Sequence, residues 1–111
     1  MANCGDSRIT ICSSGRSRDI SKDHKPYDED ELKRIKAAGG KVVNKRVNGM
    51  HGVSRSFGDY FYKQNDALTM ENQVVTACPD IFVQARSGND EFAIIACDGV
   101  WDVMTGQEIS E

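Results

Sequence analysis

Along the chain the apolar residues come in short bursts set apart by turn formers, and only one burst carries a helical period. Arg8-Ile9-Thr10-Ile11-Cys12 alternates as a strand and runs into a turn at Ser13-Ser14-Gly15. Asp23-His24-Lys25-Pro26 follows, and its proline holds Lys25 in an extended or turn conformation. From Asp28 the period changes. Leu32 and Ile35 make a short apolar stripe, Asp28 is placed to cap the first turn, and Glu31 is placed to reach back as its capping-box partner. Gly39-Gly40 ends the segment, so the pattern predicts a helix from Asp28 to about Ala38. Val42-Val43 and Arg46-Val47 read as short strands around a turn, with Asn48-Gly49 a hairpin-type signal. Residues 50–59 have two glycines and no period, which predicts an ordered loop. Val74-Val75-Thr76-Ala77 reads as a further strand, Pro79-Asp80 punctuates it, and Ile81-Phe82-Val83 begins the next.

The last apolar burst says most about chemistry. Phe92 to Ala96 is continuous rather than alternating, the pattern of a central strand covered on both faces. It stops at Cys97-Asp98-Gly99, where glycine is expected to let the backbone turn just after Asp98, and Asp102 follows four residues on. Two carboxylates at a strand end suit a cation, and a turn-capping role has equal weight on spacing alone. Beyond them, Thr105 with Glu108 signals a capping box for a helix that the sequence leaves at hardly more than one turn. At the other end, Gly5-Asp6-Ser7-Arg8 is a turn entering a strand with no partner strand before it. The expectation is a partial domain, residues 1–111, cut at both ends.

Composition narrows the class. A chain of 111 residues, 39% hydrophobic and 28% charged, is at most one globular domain. No apolar run approaches membrane-spanning length, and no basic leader precedes an apolar core, so neither a membrane nor a secretory role is expected. The four cysteines form no CxxC pair and have only two histidines for company, which suggests neither a zinc site nor a disulfide framework. A reduced cytoplasmic or nuclear setting follows, with Cys12 and Cys97 as small core residues. The net charge of −3 conceals an asymmetry. Residues 1–55 carry 12 Lys and Arg against 7 Asp and Glu, and residues 56–111 carry 2 against 10. Such a division suits a protein that gathers cations with one part and an anionic ligand with the other, or simply two solvated faces. Nucleic acid is not an expected partner, because the basic residues are mixed with acids.

The motifs then converge. Gly5-Asp6-Ser7-Arg8, Asp23-His24-Lys25-Pro26, the Glu31–Gly40 segment, Arg46-Val47-Asn48-Gly49, Val53-Ser54-Arg55-Ser56-Phe57-Gly58-Asp59, Pro79-Asp80 and Ala96-Cys97-Asp98-Gly99-Val100-Trp101-Asp102-Val103 together resemble the metal-dependent protein phosphatase family, type 2C, in the family's order. The resemblance implies an α+β fold, a fragment of a β-sandwich flanked by helices. It also implies a protein serine/threonine phosphatase acting on phosphoserine and phosphothreonine proteins through metal-activated water, with Mg2+ or Mn2+ as cofactor, two or three ions in the complete domain. By the same resemblance Asp98 is a ligand of the catalytic metal pair, Asp6 and Asp102 hold a further ion, and Gly5 and Gly99 let the backbone approach. Residues 31–59 border the substrate flap, where Arg55 and Asp59 read as structural ion-pair partners rather than catalysts. His24 is expected to be a hydrogen-bonded turn residue, His51 exposed, and Trp101 core packing.

Hard ions do prefer carboxylate oxygens, and two-metal water activation needs no nucleophilic side chain. The family's Asp-Gly-His-Gly-Gly motif, an upstream phosphate-binding arginine and a later Asp-Asn are absent from these residues. An isolated chain with little or no activity is therefore the expectation. The alternatives are a non-catalytic phosphatase-like binding or regulatory module and a plain metal-binding domain.

Overall fold

The computed structural model describes residues 1–111. Its largest sheet has the order β3-β2-β7 and is antiparallel throughout, built from β2 (Arg8–Ser13), β3 (Arg16–Asp19) and β7 (Asp90–Ala96). Ser14 (φ 51°) and Gly15 (φ 71°) make the β2–β3 hairpin with both residues left-handed, the turn that matches strand twist. On the other side β2 pairs with β7 in a register running from Arg8↔Ala96 to Cys12↔Phe92. Thr10 and Cys12 are buried, and α3 (Gly106–Ser110) packs over Thr10. A Cβ on Gly106 would stand 2.9 Å from Thr10 Cγ2, which is why this approach takes glycine. The capping box predicted for this helix is present.

β7 forms where predicted but not as a central strand covered on both faces. It is the sheet's edge, with Phe92 45% and Ile95 77% exposed. An apolar strand is buried only where other layers lie over it, and no element of these residues covers Ile95. Cys97, expected in the core, is likewise exposed, whereas Cys12 is buried.

The remaining pairs are two residues long. β1 (Ala2–Asn3) pairs with β6 (Asp80–Ile81), and β4 (Val42–Val43) with β5 (Arg46–Val47). Asn44 and Lys45 turn the second hairpin, and Asn48-Gly49 makes a further turn that returns His51 to Val47. The strand expected over Ile81–Val83 ends at Ile81, and Val83 is exposed. Residues 74–77 are no strand. Only Thr76 bridges, to Arg55, with its carbonyl accepting from the Ser56 N–H at 3.0 Å, yet Val75 and Thr76 are fully buried.

The helix α1 (Glu29–Ala37) has Asp28 at its N-cap position and Gly39 (φ +84°) beyond its end. Asp28 makes no side-chain cap bond, and Glu31 does not reach back to it. Glu31 turns inward, where two arginines outbid the backbone. Ile35 on the inner face of this helix packs with Val47 and Val75 in a thin core, with Val42, Val74 and Tyr62 packed against it. Buried side chains number four hydrophobic against eight polar or charged, so hydrogen bonds decide the shape of this interior.

Candidate functional site

The last registered pair of the β2–β7 ladder is Arg8↔Ala96. Asp6 lies two residues before it and Asp98 two residues after, so both leave the same end of the sheet. Cys97 is extended, and the chain then enters α2 (Asp98–Trp101) directly. Gly99 has no left-handed conformation, so the turn expected of it is made at Cys97 instead. Asp102 closes the turn, its N–H donating to the Asp98 carbonyl at 2.8 Å. Asp98 and Asp102 are both exposed.

Trp101 fixes this turn against the sheet rather than filling a core. Its Nε1–H donates to the Ala96 carbonyl at 2.7 Å, and the Arg8 guanidinium lies 5.5 Å from the ring centroid. Arg8 in turn makes paired bonds to Asp23, each 3.0 Å, and one to Asp19 at 3.2 Å. The hydrogen bonds it donates to Asp23, helped by the charges of Asp23 and Asp19, outweigh burial and raise the Arg8 pKa.

Asp6 is held from the Asp23–Pro26 turn. Lys25 Nζ donates to Asp6 Oδ2 at 2.5 Å. Burial works against the Lys25 charge, but the bond and the charge of Asp6 outweigh it and raise the lysine pKa. One residue earlier His24, 1% exposed, grips the neighbouring backbone. Its backbone N–H donates to the Gly5 carbonyl, and the Gly5 N–H donates to the ring at His24 Nδ1, both at 3.0 Å. Nδ1 is therefore the acceptor, and the proton sits on Nε2, which donates to Asp80 Oδ2 at 2.9 Å. Gly5 has φ +131°, a conformation reserved for glycine, so the turn before Asp6 depends on that residue.

From Asp80, whose side chain is partly exposed, a network runs inward to α1. Arg55 Nη1 donates to Asp80 Oδ1 at 2.7 Å, and Arg55 also binds both oxygens of Glu31. Burial opposes ionisation of Asp80, but the bonds from His24 and Arg55 more than offset it and lower its pKa. Glu31 behaves the same way. Burial would raise its pKa, yet bonds from Arg55, Ser54 and Arg34 bring it to about 2. Asp59 stands apart from this network, accepting from Ser56 Oγ at 2.5 Å. His51, expected to be exposed, has its Nε2 buried and 3.5 Å from Asp59 Oδ2, too long for a hydrogen bond, while its ring packs against Tyr62. The spacing of Glu31 behind Asp28 reads as a cap and carries no sign of its inward turn toward Arg34 and Arg55, and His24, Lys25 and Asp80 carry no periodic signal and are legible only as members of motifs.

The donors at the sheet end are the hard oxygens that Mg2+ and Mn2+ prefer, but they do not complete a site. No three His, Cys, Asp or Glu side chains gather in a metal-holding group, and Asp6 is engaged by an ammonium. Mg2+ takes about six oxygen ligands in octahedral geometry, more than these residues converge to offer.

Comparisons with known proteins first give the class, protein phosphatases. The chain is 52% identical over 110 residues to human protein phosphatase 1G and 48% identical over 109 residues to protein phosphatase ppm-1.G of Caenorhabditis elegans, covering 98% of this chain in each case. A crystal structure of a phosphatase from Toxoplasma gondii superposes with a TM-score of 0.82 at 38% identity, over 98% of this chain and 33% of that one. The family is then direct: the profile described as Protein phosphatase 2C matches residues 1–111, and the chain belongs to that family. It spans about a fifth of those two relatives, 20% of the human protein and 22% of the nematode one. The resemblance drawn from the motifs and the mixed α and antiparallel β class are both borne out.

Proposed function

We propose that these residues form part of a metal-dependent protein serine/threonine phosphatase acting on phosphoserine and phosphothreonine proteins. Asp98 contributes a carboxylate to the catalytic metal pair, and Asp6 and Asp102 contribute to a neighbouring ion, with Mg2+ or Mn2+ as the metal. The remaining ligands come from outside these 111 residues. When bound, such ions supply an ionised water and neutralise charge on the phosphoryl oxygens. The chain's own residues prepare the edge: His24 fixes the Gly5 backbone, Lys25 holds the Asp6 carboxylate, and Trp101 anchors the turn that carries Asp98 and Asp102. Arg55 ties the 53–56 loop to α1, so that the flap over residues 31–59, including Asp59, keeps its shape beside the edge. Four free thiols suit a reducing cytoplasmic or nuclear setting.

The observation that carries this reading is the family match over the whole chain, together with Asp6 and Asp98 leaving one end of one ladder. It is tested by grafting residues 1–111 in place of the matching segment of human protein phosphatase 1G and following hydrolysis of a phosphothreonine peptide. The graft should turn over only with Mn2+ or Mg2+, and Asp98→Asn should abolish turnover. A folded graft without activity, or an Asp98→Asn graft as active as its parent, contradicts the proposal.

A further inference from the structure

The β4–β5 hairpin carries positive charge that the fold leaves without a partner. Residues 32–58 hold 7 Lys and Arg and no Asp or Glu. Three of those cations are engaged: Lys33 pairs with Glu29, and Arg34 and Arg55 pair with Glu31. The other four, Lys36, Lys41, Lys45 and Arg46, are exposed and have no carboxylate within 4.0 Å. Like charges gathered on one surface repel and do not stabilise the fold that carries them. The register of the hairpin sets out their arrangement. Val42 pairs with Val47, and both face the core, whereas Val43 pairs with Arg46. Side chains alternate along a strand, so Lys41, Val43 and Arg46 share the outward face, where Val43 is 42% exposed. Arg46 is steadied there by Nη1, which donates to the Met50 carbonyl at 2.9 Å. Lys45 occupies the turn, and its Nζ lies 5.4 Å from the centroid of the Tyr27 ring. Tyr27 stands two residues from Lys25, which holds Asp6, so the tip of the hairpin adjoins the sheet edge.

We propose that the outward face and tip of this hairpin, Lys41, Lys45 and Arg46, form a docking surface for an acidic segment of the phosphoprotein substrate, close in sequence to the phosphorylated residue. The inference rests on the phosphatase reading above and adds a substrate class to it: phosphoserine or phosphothreonine set among glutamates and aspartates. Carboxylates of an extended peptide supply the partners that these cations lack, and complementary charge of this kind selects a partner more than it tightens binding. A single-stranded nucleic acid is the poorer match. Such strands are held by bases stacked on aromatic rings, the β4 and β5 strands and their turn carry none, and the nearby Tyr27 ring already faces Lys45.

Docking is measured apart from catalysis. The full chain and, in parallel, its graft into human protein phosphatase 1G are checked by circular dichroism and titrated, with chelator present, into a labelled unphosphorylated peptide rich in glutamate. Fluorescence anisotropy should show binding to that peptide and none to its glutamine counterpart. Molar salt, which cuts the screening length to about 3 Å, should abolish it. The triple variant Lys41→Gln, Lys45→Gln, Arg46→Gln should weaken binding about tenfold, the combined effect of three exposed charge pairs. Lys41→Gln with Lys45→Gln alone, which keeps the Arg46 bond to Met50, should weaken it about fivefold. Arg16→Gln with Arg18→Gln removes equal charge from β3 and should leave binding within about twofold. In the graft, kcat/KM should be higher for a phosphothreonine peptide with glutamate neighbours than for one with glutamine neighbours, and the triple variant should remove the difference. A folded graft with no turnover contradicts the phosphatase reading, whereas binding still decides whether the hairpin docks acidic peptide. The docking surface is overturned if the β3 variant weakens binding as much as the hairpin variants, or if an active graft turns over both peptides equally well. Tighter binding of single-stranded RNA of equal charge to the same three residues, or their use in self-association in place of peptide binding, would overturn it as well.

Discussion

Arg55 Nη2 lies 2.5 Å from Glu31 Oε1, and the two side chains are only 14% and 4% exposed, so a buried ion pair joins α1 to the loop beside the sheet edge. Glu31 also accepts from Ser54 Oγ and Arg34 Nη1, each at 2.5 Å, and Arg55 continues to Asp80. Removing one member of such a set leaves the others charged and without partners. Glu31→Gln should therefore cost about 3–5 kcal/mol of stability, read as a lower urea midpoint. A loss under about 1 kcal/mol, the size of a surface pair, would contradict the structural role given to the network.

The same carboxylate sets a pH dependence. Its pKa is about 2 when folded against an ordinary 4.5, so the folded state binds its proton less readily than the unfolded chain. The resulting stability, about 3 kcal/mol, is fully present above pH 4.5 and lost as the pH falls towards 2. Urea midpoints between pH 6 and pH 3 should fall more steeply for the parent chain than for Glu31→Gln. Parallel profiles would show that Glu31 is not the group responsible.

His24 joins Gly5 to Asp80 from a fully buried position. His24→Ala removes both side-chain bonds and leaves the Gly5 N–H without its acceptor, at an expected cost of about 2–4 kcal/mol. Hydrogen exchange at the Gly5 amide reads the local effect. It should speed up more than exchange within the β4–β5 hairpin, and equal acceleration would mean that His24 acts on the fold at large.

Gly40 is closed in by its neighbours. An added Cβ would meet Val74 Cγ1 at 2.9 Å, Ile35 Cγ2 at 3.0 Å and the Ile35 carbonyl at 3.1 Å. Gly40→Ala should lower stability by about 1–3 kcal/mol through overpacking of the small core. An unchanged thermal midpoint would show that the core can yield there.

What could be read in the sequence divides by range. β2, β4, β5, the body of α1 and the Thr105–Glu108 box are written in local alternation, turn residues and caps, and they form as expected. Residues 74–77 have strand-like composition, but a strand needs a neighbour and only Thr76 finds one. The Phe92–Ala96 run announces burial, and burial depends on what other layers cover it. Glu31 looked like a cap because Asp28 stands three residues before it, and Arg34 and Arg55 drew it inward through contacts that no local pattern encodes. At the sheet edge, the register Arg8↔Ala96 explains why motifs around Asp6 and Asp98, far apart in sequence, meet at one end of a ladder.

Metal stoichiometry tests the central claim most directly. The graft of residues 1–111 into human protein phosphatase 1G is titrated with Mn2+ by calorimetry, alongside its Asp98→Asn and Asp6→Asn variants. Asp98→Asn should lose tight Mn2+ binding, while Asp6→Asn should keep the tight ions and lose only a weaker one. Unchanged stoichiometry and affinity in a folded Asp98→Asn graft would contradict the assignment of this edge to the metal centre.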